Sequence, residues 1–326
     1  MDEAVLHLLK DREGRFVSGE EISRKVGVSR SAVWKGMERL RAEGYEILGQ
    51  SHQGYKLTGS PDCLTAQELT WNLNTQRIGS QIHAYENTES TMVIAHRLAL
   101  GRAPDGTVVI AEAQSRGRGR LGRTWTSPKA KGIYASILLR PAMSLREVPL
   151  VALAAAVAAA QAVERQTGLK PQIKWPNDLL LEGKKVAGIL TELDAELNRI
   201  NCVVVGIGMN VNTPQSLLPE GATSLALAAG QKVNRTEMAR QLLQALDEVY
   251  DQCLREGFAS VLELWRSYAH FLSGQVRVSV QGREVVGQAM DIDASGALLV
   301  RQATGMVETV AAGDVLLMRE TGHNGQ

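Results

Sequence analysis

The residues best suited to chemistry lie together in Gln114-Ser-Arg-Gly-Arg-Gly-Arg-Leu-Gly-Arg-Thr-Trp125. Between Arg116 and Arg123, four arginines and three glycines share eight positions. Glycine lets the backbone bring its N–H groups close to a ligand, and arginine supplies a fixed charge with a fork of donors that suits phosphate and carboxylate. The stretch therefore reads as an anion clamp. Gly117, Gly119 and Gly122 also spell a dinucleotide fingerprint, and Gly117 to Thr124 comes close to a phosphate-binding P-loop. Both templates need a helix to open at the last glycine. Pro128 and Gly132 predict a loop there instead, after a strand over 107–113. The expectation is a loop that closes over an anion.

Two further stretches add polar groups. In Lys174-Trp-Pro-Asn-Asp178, Pro176 ends a strand and exposes Asn177 and Asp178. Glu182-Gly-Lys184 then turns the chain into a returning strand that begins with Lys185, which predicts Lys185 near Asp178 across a hairpin. A strand over 202–212 puts Val203, Val205, Ile207, Met209 and Val211 on one face. Its other face carries Gly206, Gly208, Asn210 and Asn212, so something approaches it closely, either a packing helix or a flat ligand such as a purine. Ser90 and Thr91 precede a helix over 92–100, and as isolated residues they read as helix caps.

These groups need positioning elements. Residues 1–59 read as helix, helix, turn at Gly27, helix and a two-stranded wing, with Ser18 and Glu21 as a capping box. From Arg24 to Arg41 six Lys or Arg face one acid, a local balance of +5. Ser29, Arg30, Ser31, Trp34 and Lys35 are the candidate DNA contacts of this winged helix-turn-helix. A linker follows at 60–66, then a mixed α/β domain over 67–272. Short strands between Gly282, Gly296, Gly305 and Gly313 predict an SH3-like β-barrel over 273–320, with a tail at 321–326.

Composition sets the outer bounds. The chain has 326 residues, 44% hydrophobic and 22% charged, as in ordinary globular proteins. A net charge of +1 confines any nucleic-acid surface to a local patch. Cys63, Cys202 and Cys253 lie far apart, so neither a disulfide framework nor a zinc site is indicated, and no motif supplies a metal site. The N-terminus lacks signal-peptide regions, and the apolar run 150–160 is too short to span a bilayer. The expectation is a reducing, cytoplasmic compartment with no membrane partner. There is no G-x-S-x-G elbow and no H-E-x-x-H. A site rich in cations and backbone donors suits the joining of two anions, such as a carboxylate and the α-phosphate of ATP.

Taken together, 115–125, Lys174 to Asp178, Lys185-Val-Ala-Gly-Ile-Leu190 and Gly206-Ile-Gly-Met-Asn-Val-Asn212 resemble the biotin–protein ligases. The helix-turn-helix resembles that of the bifunctional form, which is also the biotin operon repressor. The resemblance covers essentially the whole chain. It implies an α+β multidomain fold: a winged helix-turn-helix, a class II synthetase-like mixed-sheet ligase domain and an SH3-like barrel. It also implies that biotin and Mg-ATP, with Mg2+ arriving on the nucleotide, give biotinyl-5′-AMP. The biotinyl group then passes to a lysine of a biotin carboxyl carrier protein.

By the same resemblance Lys185, Arg120 and Asp178 are the catalytic group. Ser90, Thr91, Gln114, Arg118, Gly119, Arg120, Lys185 and Gly188 surround biotin and its adenylate, while Arg123, Trp125 and Asn210 meet the nucleotide. Met92 departs from the family's Ser-Thr-Asn and takes an amide out of the pattern. Operator DNA, and a homodimer formed when biotinyl-AMP is bound, complete the implied partners. Two other readings stay open on the sequence: a lipoate–protein ligase, and a ligand-sensing DNA-binding regulator without turnover.

Overall fold

The structure, a computed structural model, describes residues 2–12, 14–197, 199–280 and 282–318. The tail expected at 321–326, with the last two residues of the expected C-terminal domain, lies outside them. The chain divides into two compact units, 1–63 and 64–326.

In the first unit, α1 (Asp2–Lys10), α2 (Gly19–Val26) and α3 (Arg30–Ala42) precede β1 (Glu46–Gln50) and β2 (Gly54–Gly59), which form an antiparallel wing. Half of the capping box forms: Ser18 Oγ accepts from Glu21 N at 3.0 Å, while the Glu21 carboxylate pairs with Lys25 at 3.2 Å. Gly27 then takes φ +73°, a left-handed turn that suits glycine. Ser29 caps α3 by accepting from Ala32 N at 3.2 Å. Val5, Leu9, Ile22, Val33, Met37 and Leu40 close the core, since each helix turns one apolar stripe inward.

The second unit runs α4 (Ala66–Thr70), β3 (Ile82–Tyr85), α5 (Thr91–Leu100), β4 (Thr107–Ala111), β5 (Gly132–Leu139) and α6 (Val148–Thr167). It continues through β6 (Gln172–Lys174), β7 (Asp178–Leu181), β8 (Lys184–Glu196), β9 (Arg199–Asn210), α7 (Leu225–Ala229), α8 (Arg235–Glu256) and α9 (Ala259–Tyr268). The seven-stranded sheet has the order β3-β4-β5-β9-β8-β7-β6. β3 and β4 run parallel and the other neighbours antiparallel, so the sheet is mixed. One face packs its valines and isoleucines on α6, α8 and α9, in the largest core of the molecule. The opposite face meets α5 through Met92, Ala95, Val109, Leu138 and Val204.

The 150–160 run belongs to a longer helix than its apolar stretch indicates. α6 has 20 residues and is long and apolar enough to cross a membrane, yet most of it is buried inside the protein. Its alanines let α8 approach closely, and α6 acts as a core helix.

The C-terminal segment corrects an expectation. β10 (Gln275–Val280), β11 (Arg283–Ile292), β12 (Leu298–Arg301), β13 (Val307–Val310) and β14 (Asp314–Leu317) form an open sheet of order β13-β12-β11-β10-β14. A closed SH3-like barrel would pair its two outer strands; here β13 and β14 lie at opposite edges. The physical reason is what covers the inner face. Val276, Val278, Val285, Leu298 and Val300 are continuous with the core of the central sheet, so the C-terminal sheet need not curl onto itself. Trp175 Nε1 also donates to Gly296 O at 2.9 Å, joining the two sheets.

Candidate active site

The arginine-glycine stretch is a loop between β4 and β5, as Pro128 and Gly132 require. A single 3-10 turn spans Arg120–Gly122, where Leu121 and Gly122 take φ +53° and +73°. The loop folds back on itself: Gly119 N donates to Arg123 O at 2.8 Å and Trp125 N to Gly117 O at 2.9 Å. A Cβ at Gly117 would fall 2.7 Å from Ser127 Oγ, so the glycine is what permits this fold-back.

Its arginines spread in different directions, each toward an acid. Arg116 reaches outward to Glu89 (3.1 Å). Arg118 pairs with Glu192 (2.9 Å) and Arg123 with Asp314 of β14 (2.5 Å). Arg120 donates to Asn177 Oδ1 at 3.1 Å and lies 3.9 Å from Asp314. The loop's charge is thus matched by the sheet beneath and by the C-terminal segment.

The hairpin expectation holds: Lys185 Nζ stands 2.6 Å from Asp178 Oδ1. Lys174 Nζ approaches the other carboxylate oxygen to 3.5 Å. The register carries an irregularity, because Leu179 pairs with Ala187 while Leu180 pairs with Lys185. The extra residue, Val186, is a bulge that turns Lys185 onto the face of Gly188. A Cβ on Gly188 would meet Lys185 Nζ at 3.2 Å. Without the bulge, the period of two would send these residues to opposite faces.

The flat glycine face is covered by two different groups. Met92 Sδ of α5 would lie 2.6 Å from a Cβ at Gly206, and Trp125 Nε1 would lie 2.5 Å from one at Gly208. The Lys185 ammonium sits 5.5 Å from the centre of the Trp125 ring, within range of a cation–π attraction. Trp125 Nε1 is buried with no hydrogen-bond acceptor among the described residues.

Around these groups lies a cavity of about 250 Å³. Thr91, Gln114, Arg118, Gly119, Arg120 and Arg123 line it, together with Trp125, Asp178, Lys185, Gly188 and Asn210. Thr91 N and Oγ1 both donate to Gln114 Oε1, at 2.9 and 3.1 Å, while Gln114 Nε2 donates to Ser127 Oγ at 2.9 Å. Ser90 stands apart from the lining. It occupies the N-cap position of α5 but makes no capping bond, so the cap reading fails for it; its hydroxyl is buried without a partner among the described residues. Asn210 is buried and donates to Thr223 O at 3.1 Å. Asn212 is tied into a reciprocal pair with the backbone of Val233.

Tyr134 supports the loop from below. Burial pushes its phenol well above the ordinary value, so it remains a neutral donor to Pro128 O at 3.0 Å.

Glu192 and Asp314 escaped the sequence reading. Neither stands in a pattern that marks it: Glu192 is one acid in a long strand, and Asp314 lies 191 residues beyond Arg123 (314 − 123). In the first unit, Arg30, Ser31, Trp34 and Lys35 are all exposed on α3, with Trp34 55% accessible. Ser29 is held by its cap and by Ser31 Oγ at 3.0 Å.

Comparison with known proteins assigns these parts. The biotin/lipoate A/B protein ligase family matches residues 84–210, an HTH domain family residues 2–56, and the biotin protein ligase C-terminal domain family residues 274–318. The bifunctional ligase/repressor BirA of Bacillus subtilis is 38% identical over 94% of this chain and 96% of its own. The Escherichia coli protein of the same name is 29% identical over 93% and 94%. Among solved structures, the Aquifex aeolicus biotin protein ligase in complex with biotin and ATP superposes with a TM-score of 0.64 at 27% identity, covering 74% of this chain and 99% of that one. The chain therefore belongs to the family of bifunctional biotin–protein ligases and biotin-responsive repressors.

Proposed function

We infer that the protein activates biotin with ATP and transfers it to a lysine of a carrier protein, and that it represses transcription in response to biotin. The observation that carries the reading is the cavity itself. It gathers Arg118, Arg120 and Lys185 beside a glycine-floored slot, with the Thr91–Gln114 amide network next to it.

In this reading a biotin carboxylate oxygen attacks the α-phosphorus of ATP, a P–O bond forms, and pyrophosphate leaves. Mg2+ enters with the nucleotide as part of the substrate. Arg118, Arg120 and Lys185 neutralise the two anions as they meet, and Arg123, Trp125 and Asn210 hold the nucleotide. Thr91, Gln114, Gly119 and Gly188 shape the biotin side, with Ser90 behind them. In the second step the acceptor lysine's amine attacks the acyl carbon, AMP leaves with its oxygen, and Asp178 takes a proton from the amine. The Gly-Arg loop keeps water from the adenylate meanwhile.

The acceptor is a biotin carboxyl carrier protein and the location cytoplasmic. Biotinyl-AMP that is not consumed favours a homodimer whose two α3 helices, through Arg30, Ser31, Trp34 and Lys35 beside Ser29, bind a two-fold operator. The working division is then 1–59 for DNA, 60–66 as linker, 67–272 for catalysis, and 273–320 as the segment that supplies Asp314.

The test is mass-spectrometric detection of mass gain on an added carrier domain, with ATP and either biotin or lipoate. Gain with biotin is expected. Gain with lipoate alone, or none with either acid, overturns the reading. DNA binding that biotin and ATP fail to strengthen overturns the repressor half.

A further inference from the structure

Glu192 is absent from the cavity lining, yet it grips a residue that belongs to it. On β8 it follows Gly188 and Leu190 at the period of two, so its side chain leaves the sheet on the face that carries the site. Its Oε1 lies 2.9 Å from Arg118 Nη2 and its Oε2 3.3 Å from Arg118 Nη1, an end-on fork. Oε2 is also 2.8 Å from His96 Nε2, on α5. Strand, loop and helix thus meet at a single carboxylate.

Burial does not account for this contact. The Arg118 side chain is 47% exposed and Glu192 26%, and an ion pair in such a setting contributes little to stability. What it fixes is direction. Arg118 rides on a loop with glycine on both sides, at 117 and 119, where an untethered side chain would sample many rotamers. A guanidinium has five N–H donors. The fork with Glu192 engages one on each terminal nitrogen, leaving donors for an anion in the cavity. His96 fixes the carboxylate in turn, because its imidazole comes from the helix that packs over the same sheet face.

We propose that Glu192, seated by His96, is a positioning residue that pre-sets the Arg118 guanidinium toward the cavity for the carboxylate or phosphate of the acid substrate. The proposal rests on the reading that Arg118 meets biotin or its adenylate. Pre-setting removes an ordering cost from binding and leaves the chemical step alone, so its loss raises KM without lowering kcat.

The experiment is a double-mutant cycle in the full chain, with biotin-dependent pyrophosphate release as readout. Glu192→Gln is expected to raise the KM for biotin about tenfold, the equivalent of one charge-assisted hydrogen bond, with kcat within about twofold. Arg118→Ala should raise KM at least as much, and adding Glu192→Gln to it should change nothing further. His96→Phe, which removes only the second partner, should raise KM by about threefold in the same direction. If Arg118→Ala raises KM while Glu192→Gln and His96→Phe leave it flat, or if the effects multiply, the positioning role is wrong and the Arg118 reading survives. An Arg118→Ala variant with KM and kcat both unchanged removes both readings, and one that lowers kcat alone overturns the positioning role while the Arg118 reading survives. Should Glu192→Gln fail to fold, His96→Phe decides alone, and a flat KM in it overturns the proposal.

Discussion

Lys185 and Asp178 face each other at 2.6 Å across the β7–β8 hairpin, on a face that Lys185 reaches only through the bulge at Val186. Asp178 also has Lys174 at 3.5 Å, so removing Lys185 leaves its carboxylate with one cation, and the side chain is already partly exposed. Lys185→Ala should therefore keep its fold while adenylate formation falls by about 100-fold or more, the usual cost of losing one pre-placed charge at a reacting anion. Biotin-dependent pyrophosphate release measures it, with thermal melting as control. Unchanged turnover would take Lys185 out of the site.

Gly208 and Trp125 make a second, steric prediction. A Cβ at Gly208 would come within 2.5 Å of the indole nitrogen, so Gly208→Val must displace the ring from the strand. The loop then loses its seat on the cavity floor. ATP binding should weaken by about tenfold or more, about 1.4 kcal/mol, while the far face of β9 stays packed. Isothermal titration with ATP and biotin reads the loss, and full affinity in the variant would show that the close approach of Trp125 is incidental.

These two relationships also mark how far the sequence reaches. Periodicity and caps place α2, α3, α8 and the two faces of β9, because each depends on local spacing that the chain states openly. The loop could be read as a loop from Pro128 and Gly132. Its partners could not. Glu192 and Asp314 are ordinary acids until the fold carries them to Arg118 and Arg123, and the bulge that turns Lys185 inward has no marker residue. The barrel expectation failed for a similar reason: strand lengths and glycine turns describe a small sheet equally well, open or closed. What decides is the central core lying under Val276 and Leu298.

Asp314 ties the arginine loop to β14 through Arg123 at 2.5 Å. Asp314→Ala should loosen the loop without unfolding the sheet, because Arg123 is 69% exposed and an ion pair with one solvated partner contributes up to about 1 kcal/mol. Limited trypsin digestion should cut faster between Arg118 and Arg123 in the variant, with melting temperature nearly unchanged. Equal cleavage rates would mean that the loop holds itself in place.

The turn after β11 carries a pH signature. Asp293 Oδ1 accepts from Ser295 N at 2.8 Å, Ser295 Oγ at 2.7 Å and Ala297 N at 3.0 Å, next to the Gly296 carbonyl that receives Trp175. Burial raises this carboxyl's pKa, but the hydrogen bonds from Ser295, Ala297 and Gly296 outweigh it and hold the group below its ordinary value. A depressed carboxylate contributes stability that is fully present above the unfolded value, about 4, and is lost as pH falls through the folded value. Asp293→Asn should thus be less stable than wild type by roughly 1 kcal/mol at pH 7, with the gap shrinking below about pH 4. Urea melts at several pH values follow it; a gap that does not depend on pH would assign the loss to packing alone.

On α3, the exposed Arg30 and Trp34 should differ in the kind of DNA contact each makes. Arg30 follows the Ser29 cap at the helix N-terminus, where a cation suits a phosphate, and Trp34 lies one turn on with 55% of its surface open. An arginine on a phosphate releases counterions, so Arg30→Ala should weaken binding to any duplex and lower the slope of log K against log salt by about 1. Trp34→Ala removes apolar surface that can meet base edges and carries no charge. It should leave that slope unchanged while narrowing the difference between operator and unrelated DNA. Titrations at several salt concentrations on both duplexes distinguish the two. If Trp34→Ala lowered affinity equally for every duplex, the tryptophan would be a backbone contact, and sequence reading would have to come from elsewhere on the helix.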